Sequence, residues 1–140
     1  MSRQRDPVHA YLVTRGCPPH VVRAGLVGLL DRWRDVVESI EAGRDGALDG
    51  WRDDMDLRDL LAGALSASDP HERQAAAARL DDADERYRRV TTPCGCTWGA
   101  TIAATNAWRP TWQWWYFRRP TLPGPRLRAE LDAEGLLRLA

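Results

Sequence analysis

An apolar stripe with helical spacing between residues 20 and 43 constrains the fold of this chain more than any other feature. Its members recur every three or four residues, while Asp31, Asp35 and Glu38 lie on the opposite side. Such a pattern predicts an amphipathic helix of about six turns, ended by Gly43, that needs an apolar surface to pack against. The stripe comprises Val22, Leu26, Leu29, Trp33, Val36, Val37 and Ile40.

Two further helices are predicted before residue 91. The first covers residues 54–67, where leucines fall on one helical face after the Gly- and Asp-rich loop "RDGALDGW". The second covers residues 69–90 and has the clearest start signal in the chain. Asp69 is placed to cap its N terminus, Pro70 suits the first helical position, and Glu72 follows three residues after the cap.

The pattern of the chain changes after Val90. The stretch "AWRPTWQWWYFRRP", residues 107–120, contains four tryptophans, a tyrosine, a phenylalanine and three arginines. We expect a strand over "TWQWWYFRR", residues 111–119, because aromatic residues favour strands and both faces of such a strand would be aromatic. In the tail after Pro120, the spacing of Leu127 and Leu131 predicts a short helix, and a hairpin turn at "LDAEGL" is the alternative.

These elements predict a mainly α protein, in which a three-helix N-terminal layer (20–43, 54–67 and 69–90) is covered by a Trp-rich, partly extended C-terminal segment. A length of 140 residues fits one domain, since such a chain buries roughly 68% of its unfolded surface. Within it we expect an extended N-terminal arm over 1–17, a helical part over 18–90, a Trp- and Arg-rich loop and strand part over 91–120, and a short terminal element over 121–140.

The sequence predicts a cytoplasmic protein without a membrane partner. It contains no run of about 18 apolar residues, and its basic N terminus is not followed by the apolar run of a secretory signal. All twenty basic residues are arginine and alanine is abundant, a composition typical of a GC-rich bacterial genome. Three cysteines, an odd number, favour free thiols or metal ligands over a disulfide framework.

The net charge is zero, but it is unevenly distributed along the chain. Residues 31–85 carry sixteen acidic residues against seven arginines, whereas residues 86–129 carry eight arginines and no acid. This asymmetry fits an acidic or nucleic-acid partner, or two segments that neutralise each other. The near balance favours the second interpretation, in which Arg118 and Arg119 pair with the acidic helices. Asp84 is expected on a solvated acidic helix face, or as part of a cluster that pairs with Arg88 and Arg89 at i, i+3 and i+4 spacing.

Four residues form a candidate metal site. Cys17 and His20 are spaced C-x2-H, and Cys94 and Cys96 form a C-x-C pair, which together give a Cys3His set that Zn²⁺ accepts. The two pairs lie far apart in sequence, and the alternative is that Cys17 is a small buried residue and His20 a surface side chain. We therefore expect no cofactor, with zinc left open.

No catalytic triad, paired carboxylates or phosphate-binding glycine loop can be assembled, so no enzymatic activity is expected. The pattern favours a small non-catalytic protein-interaction module, such as an inhibitor, an immunity or antitoxin-like factor, or an assembly adaptor. The alternative is a nucleic-acid-associated module that uses the basic aromatic half, and a homodimer is left open. The candidate binding residues are Trp112, Trp114, Trp115, Tyr116, Arg118 and Arg119.

Overall fold

A computed structural model describes residues 6–138. Over that range six α-helices and one two-stranded sheet make the chain mainly α, as predicted. None of the helices between residues 6 and 138 is both long and apolar enough to cross a bilayer. The elements are α1 (Pro7–Thr14), α2 (Pro19–Glu41), α3 (Leu48–Ala67), α4 (Pro70–Arg89), β1 (Thr91–Pro93), α5 (Ala100–Asn106), a 3-10 helix (Trp114–Phe117), β2 (Arg118–Pro120) and α6 (Pro125–Ala133).

The prediction of an extended arm over residues 1–17 is wrong for its described part, because Pro7–Thr14 forms α1. The Asp6 carboxylate caps this helix by accepting a hydrogen bond of 3.0 Å from the Val8 N–H. Tyr11 packs directly on Gly63 of α3, where any side chain would collide with the tyrosine ring. A helix of eight residues contains too few turns for its periodicity to stand out. Residues 1–5 of the expected arm lie outside the described range.

Helix α2 confirms the first predicted helix, and its whole apolar stripe is buried. One break interrupts it: Gly25 adopts φ 61° and ψ −151°, so two helical segments are joined there at an angle to each other. Only glycine enters this region of backbone space without steric cost. The helix ends at Glu41, two residues before Gly43, whose φ is 89°.

Helix α3 begins at Leu48, six residues before the predicted start, and the loop predicted over "RDGALDGW" is wrong in its second half. The cap that stabilises this earlier start comes from far along the chain, since the Glu130 Oε1 accepts a hydrogen bond of 3.2 Å from the Leu48 N–H. In return, the Asp45 Oδ1 accepts one of 2.9 Å from the Leu127 N–H in the first turn of α6. The first turn of α3 is therefore capped by Glu130 of α6, and the first turn of α6 is capped by Asp45, which lies just before α3.

Helix α4 confirms the predicted start, because the Asp69 Oδ1 accepts a hydrogen bond of 2.8 Å from the Glu72 N–H. Helix α6 confirms the short helix predicted in the tail. The strand predicted through the aromatic segment is wrong. Trp114–Phe117 is a 3-10 helix, and only Arg118–Pro120 is extended, pairing antiparallel with β1 so that Thr91 faces Pro120. Helix α5 also lies in a stretch where no helix was predicted.

The core is built around α2, which packs against α1, α3 and α4, while the 3-10 helix packs against α3. Buried apolar residues from α1 to Leu136 belong to one continuous cluster. The helices of this protein are rich in Leu and Ala, so large rings supply much of the packed volume. Its bulkiest fully buried side chains are Trp33, Trp51, Tyr87 and Tyr116.

Candidate binding surface

The structure divides the aromatic residues of the candidate site into a buried and an exposed part. Trp115 and Tyr116 lie in the core, and Trp114 is half-buried. Trp112 has 73% of its surface exposed. The buried rings of Trp115 and Tyr116 belong to the 3-10 helix, whereas Trp112 lies before it. In a strand, two consecutive rings would point to opposite faces.

The buried part covers an ion pair between α3 and α4. The Arg58 guanidinium binds the Asp84 carboxylate with two hydrogen bonds, Nε to Oδ1 at 3.0 Å and Nη2 to Oδ2 at 2.9 Å. The Trp33 indole N–H donates to the same Oδ1 at 3.0 Å. The Trp115 ring centroid lies 4.5 Å from the Arg58 guanidinium carbon, and that of Trp114 5.5 Å. Asp84 is therefore buried and paired, and the prediction that it lies on a solvated face is wrong.

Tyr116 anchors the 3-10 helix to α3. Its hydroxyl donates a hydrogen bond of 2.7 Å to the Asp56 Oδ1. Burial raises the pKa of Tyr116, so its hydroxyl keeps its proton and stays a donor at neutral pH. Burial also raises the pKa of Asp56, and the hydrogen bond from Tyr116 opposes that rise. The Trp108 ring stacks on the Tyr116 ring at a centroid distance of 3.9 Å.

The predicted pairing of Arg118 and Arg119 with the acidic helices is wrong, since neither forms an ion pair with any residue in the 6–138 range. The Arg118 Nε donates to the Thr91 Oγ1 at 2.8 Å, and its Nη2 donates to the Thr91 carbonyl at 2.9 Å. The Arg119 Nη1 donates to the Pro120 carbonyl at 2.9 Å. Both arginines therefore donate hydrogen bonds to backbone carbonyls of the small sheet. Other arginines pair with the acids instead: Arg58 of α3 with Asp84, Arg79 and Arg86 of α4 with Asp31 and Glu41, and Arg44 of the loop before α3 with Asp54.

The exposed part is a segment that we name the 100–113 excursion, made of α5 and the turn that follows it. Three hydrogen bonds fix the turn: the Arg109 carbonyl accepts from the N–H groups of Trp112 at 3.0 Å and Gln113 at 2.9 Å, and the Gln113 Oε1 accepts from the Arg109 N–H at 3.0 Å. Stacking of Trp108 on Tyr116 attaches the turn to the core. Trp112 is therefore presented to solvent on an ordered backbone.

The surface of the 100–113 excursion combines two exposed large apolar side chains, Ile102 and Trp112, with one arginine and uncharged polar residues such as Thr105 and Asn106. Ile102 is exposed on α5, and Ala103 is the one residue of the segment that is buried. The segment contains no acidic residue, and Arg109 is its one charged side chain. The sequence singled out Trp112 as one of six candidates, but nothing in the local pattern distinguished it from the rings that became core.

The candidate metal ligands are not gathered into one group. Nowhere in the described part of the chain do three His, Cys, Asp or Glu side chains lie close enough to hold a metal ion. Cys94 and Cys96 are buried near the sheet, and burial raises the pKa of Cys94 to about 12, whereas His20 is exposed in the first turn of α2. Zinc binding by Cys17, His20, Cys94 and Cys96 stays a prediction without geometric support.

The comparisons with known proteins leave the function to be inferred from the geometry of the chain itself. No protein-family model, curated protein or solved structure matches it.

Proposed function

We propose that this chain is a non-catalytic protein-interaction module whose partner docks on the 100–113 excursion. The observation that carries the proposal is the 73% exposure of Trp112 on a hydrogen-bonded turn. Tryptophan is strongly enriched among the residues that dominate protein-protein binding energy. A side chain on an already ordered turn loses little conformational entropy on binding, which favours affinity.

The side chains of this surface indicate what kind of partner would bind it. An indole ring and Ile102 fit an apolar recess, and the exposed Arg109 favours acidic residues on its rim. Residues 86–129 contain no acid that would repel such a rim. We infer a partner that is an acidic-rimmed protein in the bacterial cytoplasm, which the chain inhibits, protects or assembles.

The burial of the other rings argues against the nucleic-acid alternative. Proteins that hold single strands stack successive bases on several exposed aromatic rings along a basic groove. Here Trp115 and Tyr116 are core residues, Trp114 lies against Tyr87 at a centroid distance of 5.7 Å, and Arg118 is bound to the backbone. Trp112 alone is a poor platform for a strand.

Affinity capture with Trp112→Ala tests the proposal. The tagged full-length chain is used to capture proteins from cells of the organism that encodes it, and the captured partner is then purified and titrated against the wild type and the variant. We expect Trp112→Ala to weaken binding about 30-fold, the loss of a hot spot of about 2 kcal/mol. Its free energy of unfolding should change by less than about 0.5 kcal/mol because the ring is exposed.

Val27→Ala is the matched control, since Val27 is an exposed apolar residue on α2, outside the excursion. It should leave the affinity unchanged. An unaltered affinity of Trp112→Ala would contradict the proposal. Micromolar binding of an oligo-dT strand at about 0.15 M salt, weakening steeply as salt rises, would replace it with the nucleic-acid alternative.

A further inference from the structure

A small apolar cleft opens between the C-terminal ends of α2 and α4 and the loop after β2. Its volume is about 240 Å³. Small-molecule sites usually span about 300–1,000 Å³, so the cleft is better matched to a single inserted side chain. Its apolar walls are Ile40, Val90, Pro120 and Leu122, and Glu41, Arg44 and Arg89 lie among its other lining residues.

Leu122 stands at the edge of this cleft with 85% of its surface exposed, the largest exposed fraction among the bulky apolar residues that the structure describes. Apolar surface of this kind is stabilised when it leaves water. The same patch therefore carries both a protruding apolar side chain and an apolar recess of side-chain size.

The charges around the cleft are also of both signs. Glu41 and Arg89 line it together; the Glu41 carboxylate accepts two hydrogen bonds from the Arg86 guanidinium, whereas Arg89 pairs with Glu85 in solvent. The exposed Arg89–Glu85 pair contributes little to stability, so Arg89 is available to another surface. A carboxylate has about four acceptor sites, so Glu41 can accept from a second donor besides Arg86. The patch therefore contains a protruding side chain and a recess, and also an anion and a cation. Two copies of such a patch can be complementary to each other.

We propose that two copies of this chain associate about a two-fold axis beside Leu122, so that Leu122 of each copy enters the cleft of the other and Arg89 of each faces Glu41 of the other. A two-fold interface requires such a self-complementary patch. Specific, stable interfaces bury at least roughly 1,200 Å². We expect a contact built on one inserted side chain and one ion pair from each copy to be weaker, with a dimer that forms at high micromolar concentration. It uses residues outside the 100–113 excursion and is independent of the function proposed for that segment.

Sedimentation of the full chain from about 10 µM to about 1 mM tests the dimer. We expect the wild type to shift toward dimer with concentration, and Leu122→Asp to weaken association at least about tenfold. Val27→Asp, which introduces the same charge at another exposed apolar residue, should associate like the wild type. A wild type that stays monomeric, or a dimer that tolerates Leu122→Asp, would overturn the proposal.

A mixing experiment tests the two-fold arrangement and does not depend on the stability of any one variant. Glu41→Arg places two cations opposite each other at each contact, and Arg89→Glu places two anions there, so each variant alone should stay monomeric. The mixture should form a heterodimer, because every contact then joins opposite charges. A mixture that remains monomeric, with wild-type circular dichroism for both variants, would refute the proposed pairing of Arg89 with Glu41.

Discussion

Among single residues, Arg58 and Asp84 make the interaction that is most costly to break. Both side chains are more than nine-tenths buried, and the pair is joined by two hydrogen bonds and by the indole of Trp33. Removing one charge leaves the other unpaired in the core. We therefore expect Asp84→Ala to lower the free energy of unfolding by about 3–5 kcal/mol, measured by urea denaturation.

Glu85→Ala provides the control at the next position of the same helix. Glu85 pairs with Arg89 in solvent, at 2.8 Å, and its loss should cost no more than about 1 kcal/mol. Arg58→Met combined with Asp84→Leu should cost much less than the two single substitutions added together, because no unpaired charge remains. Additive costs would show that the pair is not coupled.

At the scale of secondary-structure elements, α3 and α6 stabilise each other's first turns through Asp45 and Glu130. The N–H of Leu127, and then that of Gly46, hold the pKa of Asp45 below its ordinary value of 3.8 by donating hydrogen bonds to the carboxylate. A carboxyl whose pKa is lower in the folded chain stabilises the fold fully above the unfolded value, and this stabilisation is lost as pH falls through the folded value.

We therefore expect Asp45→Asn to be less stable than the wild type at neutral pH, with a difference that shrinks as the pH falls below 3.8. Urea denaturation over a pH series measures this difference. Asp45→Ala also removes the acceptor oxygen and should be less stable than Asp45→Asn at every pH. A wild-type advantage that does not vary with pH would exclude the charge as its source.

For the whole molecule, stability should be unevenly distributed between the helical core and the 100–113 excursion. Helices α2, α3 and α4 each bury an apolar face, whereas α5 buries only Ala103. Segments with few buried contacts open locally at a lower free-energy cost than the core. In hydrogen-exchange mass spectrometry of the full chain, the amides of α5 should exchange well before those of α2. Equal protection would show that α5 opens only with global unfolding.

The sequence by itself determined the elements whose signals are local. The apolar stripe from Val22 to Ile40 is buried on α2 on both sides of the break at Gly25, and Asp69 and Pro70 start α4 where the start signal indicated. These features depend on residues within a turn or two of each other, so periodicity and capping preference are sufficient to find them. Composition likewise singled out residues 107–120 as the part of the chain where the large rings are concentrated.

Tertiary structure alone decided the features that depend on residues far apart in sequence. Leu48 begins α3 because Glu130 caps it across 82 positions, and Asp84 is buried because Arg58 meets it across 26. Which ring of the aromatic segment remains exposed was decided in the same way. Tyr116 is core because α3 and Trp108 enclose it, whereas Trp112 lies on a turn that no other element between residues 6 and 138 covers. Whether a residue is buried depends on which other parts of the chain pack on it, and the local sequence does not contain that information.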